Sequence, residues 1–171
     1  MKRKIIIDFD DVLVPTLENA IRGYNKEHKN KLKVNDFDCW DVRKVDKDFP
    51  KYFLKVDFTK IEQKNNSIQY IRKLCENYEV YIVTASELSK FIQKKAWVVK
   101  NMPFFNINNM VLCSDKSILN AYAMIDDRPL NLKHCNVKRK YLYNMCHNQE
   151  CTDYKRVNNL KEFIMDLSYE K

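Results

Sequence analysis

The chain has 171 residues, 45% hydrophobic and 12% aromatic, with 31 lysines and arginines against 23 acids for a net charge of +8. That length supports one ordinary domain with a real core and room for a small insertion. No apolar run approaches the roughly 18 residues of a membrane helix, and the N-terminal MKRKIII is too short an apolar block for a secretory signal. The single glycine, Gly23, excludes the GxGxxG dinucleotide fingerprint and the Walker phosphate loop. Any phosphate bound here is held by another device. The lysines are spread along the chain, which reads as a solvated surface attractive to anions more than as a nucleic-acid groove. The cysteines at 39, 75, 113, 135, 146 and 151 are scattered rather than framed, as expected of reduced thiols in a cytoplasmic protein. Cys146, His147 and Cys151 lie close together but lack the paired, short-spaced ligands of common zinc modules.

In chain order, residues 4–8 read as a buried strand. Leu17, Ala20, Ile21 and Tyr24 then recur at i, i+3, i+4 and i+7, one face of a helix. Residues 30–66 change character ("DFDCWDV", "DFPKYFLKVDF") and read as a small, partly helical insertion. Ser67 is the expected cap of a helix that turns Ile68, Ile71, Leu74 and Cys75 inward. "VYIVT" (80–84) is a second strand. Residues 87–101 suit a helix with Leu88, Phe91, Ile92, Ala96 and Val99 inward. "MVLCS" (110–114), "AYAMIDD" (121–127) and "KYLYNM" (140–145) are three more strands, and Leu160, Phe163, Ile164 and Leu167 mark a C-terminal helix. Strands alternating with helices predict an α/β fold, a parallel sheet covered on both faces. Its ligands are expected at the carboxyl ends of the strands.

Those ends carry the chemistry. The first strand stops in Asp8, Asp10 and Asp11, a costly place for carboxylates unless a cation or a reaction uses them. The second ends in Thr84-Ala85-Ser86, the third is followed by Asp115 and Lys116, and the fourth ends in Asp126-Asp127. A magnesium ion prefers oxygen ligands and binds through a few carboxylates; Asp8 with Asp126 or Asp127 could supply them. The Thr84 hydroxyl and Lys116 ammonium could hold phosphoryl oxygens, an Asp beside the metal could attack phosphorus, and a carboxyl two residues on could shuttle the proton. Each residue has a plainer reading. DxD also occurs at Asp36/Asp38 and Asp46/Asp48, where no apolar strand precedes it. Thr84 could cap a helix, Lys116 could be a surface lysine, and Asp126-Asp127 could open a loop before Pro129. The conjunction at successive strand ends is what favours a site.

The order "IIIDFDDVLV … YIVTAS … SDKS … MIDDRP" resembles the haloacid-dehalogenase-like hydrolase superfamily. Within it, "KKAWV" (94–98), "SDKSILNAYAMIDDRP" (114–129) and "CHNQ" (146–149) are similar to the 5'(3')-deoxyribonucleotidases and their bacterial and phage relatives. The likeness spans residues 3–29 and 67–150 and is weak between. It implies a Rossmann-like three-layer α/β/α core (1–16 and 67–171) with a small, mainly helical cap (17–66) inserted after the first strand. It implies Mg²⁺ and an aspartyl-phosphate intermediate. Asp8 would be nucleophile and metal ligand, and Asp10 the general acid/base with its backbone carbonyl on the metal. Thr84, Ala85 and Ser86 would bind phosphate, and Asp126 and Asp127 would hold the metal directly or through water. Lys116, from "SDKS", is the expected phosphate lysine, with Lys94 in "QKKAWV" as the alternative. Trp40 is expected to contact the substrate base, with packing of cap onto core as the other reading. Relatives often carry Gly at the position of Asp11, so this extra acid must turn away or meet a lysine.

The expected activity is Mg²⁺-dependent hydrolysis of (deoxy)nucleoside monophosphates, with a small-molecule partner, no nucleic acid and no membrane; a homodimer is left open. The alternatives are a phosphatase for another small ester or for DNA 3'-phosphate ends, and a non-catalytic phosphate-binding module.

Overall fold

The three-isoleucine run forms the central strand of the sheet. In the computed structural model, which describes residues 1–168, β1 (Lys4–Asp8) lies between β2 (Glu79–Thr84) and β4 (Asn120–Asp126). The last three residues, 169–171, part of the expected core span, lie outside the described residues. β3 (Met110–Leu112), β5 (Asn136–Tyr143) and β6 (Lys155–Val157) complete a parallel sheet ordered β3-β2-β1-β4-β5-β6. The chain runs outward from β1 to β3, then crosses back to β4. That reversal puts the topological switch point at the carboxyl end of β1, where such sheets bind ligands.

The alternation of side chains along β1 divides the core. Ile5 and Ile7 face α3 (Ser67–Asn77), α4 (Leu88–Asn101) and α6 (Leu160–Ser168), packing with Ile71, Leu74, Trp97 and Phe163. Ile6 faces the other way, onto Val83, Met124, Leu142 and Leu132 of α5 (Pro129–His134). Both faces are covered, but unequally. Only a single helical turn at Lys116–Ile118 lies between β3 and β4, so the second layer consists mainly of the short α5. Each buried aliphatic side chain in these layers contributes about 1.5–3 kcal/mol.

Between β1 and α3 the chain forms α1 (Thr16–His28), α2 (Pro50–Lys55) and two further short turns. Aromatic rings join this helical unit. Tyr24 meets Phe49 and Tyr52 at centroid separations of 5.4 and 5.2 Å, and Phe37 meets Phe49 at 4.6 Å, distances at which aromatic pairs attract. The return segment is pinned along α4. Lys90 Nζ donates to the Val56 carbonyl at 2.9 Å, Phe58 N–H to Gln93 Oε1 at 3.2 Å, and Trp97 Nε1–H to the Ile61 carbonyl at 2.7 Å.

Four local expectations change. Helix α4 turns Lys94, Trp97 and Val98 inward, whereas Leu88, Ile92 and Val99, expected inside, are more than half exposed and Ala96 is exposed as well. The apolar stripe misled because the true inner face carries a lysine. Ser67 is a helical residue, not the cap: Asn66 precedes it in the left-handed conformation, and the buried Ser67 hydroxyl donates to the Leu13 carbonyl at 2.8 Å. β5 starts at Asn136, four residues before the apolar run that announced it. β6, with the sequence KRV, has no strand signal of its own and exists through pairing with Tyr141–Tyr143.

Candidate active site

The first four strands deliver their ends to one edge. Parallel pairing sets Asp8 level with Val83, and β4 runs beside β1 to end in the fully buried Asp126. Asp8 and Asp127 are buried with it. Among the described residues, these three are the group whose oxygens lie within 4.8 Å of one another.

Lys116 enters from the turn after β3. It is 2% exposed, and its ammonium donates to Asp8 Oδ1 and, at 2.6 Å, to Asp126 Oδ2. Asp126 also accepts from the Arg128 N–H at 2.9 Å and from Asn131 Nδ2 at 3.0 Å. Asp127 lies 3.2 Å from His147 Nε2. Burial lifts the Asp8 carboxyl well above the usual carboxylate range; Lys116 opposes this, and Asp126, Asp127 and Asp10 add to it. Burial and the Asp126 carboxylate push Asp127 up to about 8. Burial pulls the Lys116 ammonium down, but Asp8 and Asp126 outweigh it, so its pKa lies above the ordinary lysine value. One ammonium thus faces three buried carboxylates. Surplus negative charge out of water is unfavourable until a cation joins it, and this all-oxygen donor set fits a hard divalent ion.

Asp10 points elsewhere. Its Oδ1 accepts from Thr16 Oγ1 at 2.8 Å, and its Oδ2 from Thr84 Oγ1 at 3.1 Å and Lys94 Nζ at 2.5 Å. The Asp10 carboxyl therefore stands apart from the three-acid cluster. Thr84 is fully buried and does not line the cleft; its hydroxyl donates to Asp10 and accepts from Lys94 at 2.9 Å. Ala85 and Ser86 do line the cleft. The Ser86 Oγ is a buried side-chain oxygen without a hydrogen-bond partner, the one such atom among the described residues. An orphaned hydroxyl in a cleft is an open donor.

The cleft has a volume of about 370 Å³, within the range of small-molecule sites. Asp8, Asp10, Lys116 and Asp127 line it from the sheet side of the chain, and Phe37, Trp40, Val42, Phe53 and Phe58, between β1 and α3, line it as well. Trp40 is 49% exposed. The Arg128 guanidinium lies 4.7 Å from its ring centre, and the His147 ring meets it edge-on at 5.1 Å. Thr16, Arg128 and Asn131 line the cleft without having been singled out in the sequence. "CHNQ" held a usable signal for His147 and "MIDDRP" one for Arg128; nothing local marks Thr16 or Asn131.

Asp11 resolves differently from its neighbours. Its φ is +55°, a left-handed conformation that Asp tolerates better than most residues. Its carboxylate accepts the Leu17 N–H at 3.0 and 3.2 Å, serving a free donor in the first turn of α1. Lys64 Nζ donates to the Asp11 carbonyl at 2.7 Å. Burial and the Asp127 charge push the Asp11 carboxyl up to about 7. Asp11→Ala is expected to cost about 1–2 kcal/mol, from the lost cap and a strained backbone. Asp11→Gly should cost less, because glycine accepts the positive φ. Denaturant unfolding of both variants checks the order; equal losses would remove the backbone from the explanation.

A parallel sheet of this strand order, with an acidic strand end beside a lysine and an acidic pair, has the fold of haloacid-dehalogenase-like hydrolases, and its family makes the chain a phosphoric monoester hydrolase. The chain belongs to the family of 5' nucleotidase, deoxy (pyrimidine), cytosolic type C proteins, whose model matches residues 2–168. It is 31% identical over 172 residues to a 5'(3')-deoxyribonucleotidase of Bacillus subtilis, covering 98% of this chain and 99% of the relative. Among solved structures, a hydrolase of Deinococcus radiodurans with bound phosphate and sodium superposes with a TM-score of 0.65 at 12% identity, covering 98% of this chain and 96% of that one. A Bacillus subtilis hydrolase bound to magnesium gives a TM-score of 0.58 at 11% identity, covering 98% and 99%. No helix among the described residues is long and apolar enough to cross a membrane.

Proposed function

We propose that the protein hydrolyses (deoxy)nucleoside monophosphates to nucleoside and phosphate through an aspartyl-phosphate on Asp8, with Mg²⁺ as cofactor. The observation that carries this reading is one cleft lined by two unlike sets of side chains. Its carboxylates and ammonium suit a phosphoryl group, and its aromatic and aliphatic side chains suit a base. The names of the matching family and of the Bacillus subtilis relative agree with that substrate class. Residues 17–66 act as the cap in this reading.

The roles divide as follows. Asp8 and Asp127, with Asp126 and the Asp10 carbonyl, would hold the magnesium, which would neutralise phosphoryl charge and orient the ester for in-line attack. The Asp8 oxygen bonds to phosphorus as the ester P–O bond breaks, and the leaving oxygen takes a proton from the Asp10 carboxyl. Water then attacks phosphorus and returns its proton to Asp10, and the Asp8–P bond breaks to release phosphate. Lys116 and the Ser86 hydroxyl, with the Ala85 backbone beside it, hold the phosphoryl oxygens.

The test is phosphate release from a panel of esters at equal concentration, with Mg²⁺ and with EDTA. Preference for deoxynucleoside monophosphates, lost in EDTA, is the expected result; preference for a 3'-phosphorylated DNA end over every mononucleotide would overturn it. If Trp40 stacks on the base, Trp40→Ala should raise KM for dTMP about 5-fold or more, since such stacking contributes about 1–3 kcal/mol. Inhibition by inorganic phosphate should not change. A change in phosphate inhibition would instead make Trp40 a structural link between cap and core.

A further inference from the structure

We infer that Lys94 is a positioning residue for the acid/base Asp10 and does not bind phosphate. Together with Thr84 it ties down Asp10 Oδ2, leaving Oδ1 as the oxygen that handles the proton. This inference rests on the reading of Asp8 and Asp10 proposed above.

Lys94 borders the cleft, but its ammonium is already engaged. An ammonium has three N–H donors. One reaches Asp10 Oδ2 at 2.5 Å and one reaches Thr84 Oγ1 at 2.9 Å. The ammonium also lies over the Phe58 ring, 4.7 Å from its centre, and 5.4 Å from that of Phe9. Carboxylate and hydroxyl thus commit two of the three donors and the rings flank the ammonium, so a phosphoryl oxygen would have to compete with Asp10 for this charge. The side chain is 2% exposed, and a buried ammonium detached from its carboxylate is costly. Lys116 differs, because its partners are Asp8 and Asp126, where the phosphoryl group must arrive.

Thr84 completes the clamp. Its hydroxyl accepts from Lys94 and donates to Asp10 Oδ2, leaving its single proton engaged. Among the described residues Oδ1 has one partner, the Thr16 hydroxyl. That hydroxyl can donate to Oδ1 when the carboxyl is ionised and accept from it when it is protonated, so Oδ1 can gain and lose a proton without disturbing the clamp. Proton delivery to the leaving oxygen then belongs to Oδ1, and so does proton removal from water in the second step.

Leaving-group dependence tests this. The alkoxide leaving from dTMP needs a proton; the nitrophenolate leaving from para-nitrophenyl phosphate does not. General acid catalysis contributes about 10²–10⁴-fold. In kcat/KM, which reports the leaving-group step and not the later hydrolysis common to both esters, Lys94→Met is therefore expected to lose about 100-fold or more on dTMP and less than about 10-fold on para-nitrophenyl phosphate. Its inhibition constant for inorganic phosphate should stay near the wild-type value. Thr16→Val, which frees Oδ1, should show the same bias towards the aryl ester and carries the test if Lys94→Met does not fold. Equal losses on both esters with weakened phosphate inhibition would overturn the inference and make Lys94 a phosphate ligand. The wild-type enzyme separates the two claims: activity on para-nitrophenyl phosphate without activity on dTMP falls on the substrate reading alone. A simple alkyl phosphate then replaces dTMP in the same comparison.

Discussion

Asp8→Asn is expected to abolish phosphate release from dTMP or dUMP, by about 10⁴-fold or more, as when a covalent nucleophile is lost elsewhere. The amide keeps the shape of the carboxyl and cannot form the acyl phosphate. Acid-quenched wild-type protein should carry a phosphoryl group detectable by intact mass, and the variant should carry none. Folding should survive. Asp8 is one of three buried carboxylates close together, two of them on the Lys116 ammonium, so replacing it with a neutral group relieves repulsion, and Lys116 retains Asp126. The expected melting temperature of the metal-free variant is at or above that of the wild type. Activity in the variant within about 100-fold of wild type would sink the nucleophile assignment, because general acid–base help alone could account for such a remainder.

Lys116→Met should do the opposite to stability. It removes the only ammonium among the described residues in contact with Asp8 and Asp126 and leaves three acids together out of water. Breaking a buried pair from one side costs about 3–5 kcal/mol. For a chain of this size that is a fall in melting temperature of about 6–20 °C. Mg²⁺ should recover part of the loss, since the freed carboxylates then gain a cation. Activity should fall about 10²–10³-fold, the usual effect of removing one charge-stabilising donor. Thermal melts with Mg²⁺ and with EDTA give the stability result, and phosphate release gives the other. An unchanged melting temperature would show that the ion pairs of Lys116 do not hold the strand ends together.

The two lysines show where sequence reasoning stops. Lys116 and Lys94 both match the pattern of relatives, and both are almost wholly buried. Nothing in either local sequence says which carboxylate each will meet. The answer depends on contacts spanning 108 residues from Asp8 to Lys116 and 84 from Asp10 to Lys94, set by how the turn after β3 and the helix after β2 dock on β1. The same limit explains the misread face of α4. Leu88, Ile92, Ala96 and Val99 make a convincing apolar stripe, yet the core takes Trp97 and Val98 and the site takes Lys94. Periodicity sees hydrophobicity, and here the inward face was selected partly by a charge that Asp10 and Thr84 satisfy.

By itself the sequence determined the alternating α/β order, β1 and β2 with their strand ends, and the acids placed there. These follow from local physics. A run of β-branched residues has few ways to be buried except as a strand, and a carboxylate ending such a run stands out because burying it unpaired is so costly. Tertiary structure alone decided the pairings. It separated Asp8, Asp126 and Asp127 around Lys116 from Asp10 held by Thr16, Thr84 and Lys94. It recruited β6 through pairing with β5. It turned Asp11, whose purpose the sequence left blank, into the cap of α1. Each of these depends on distances between elements remote in the chain, and such distances exist only once the core has packed.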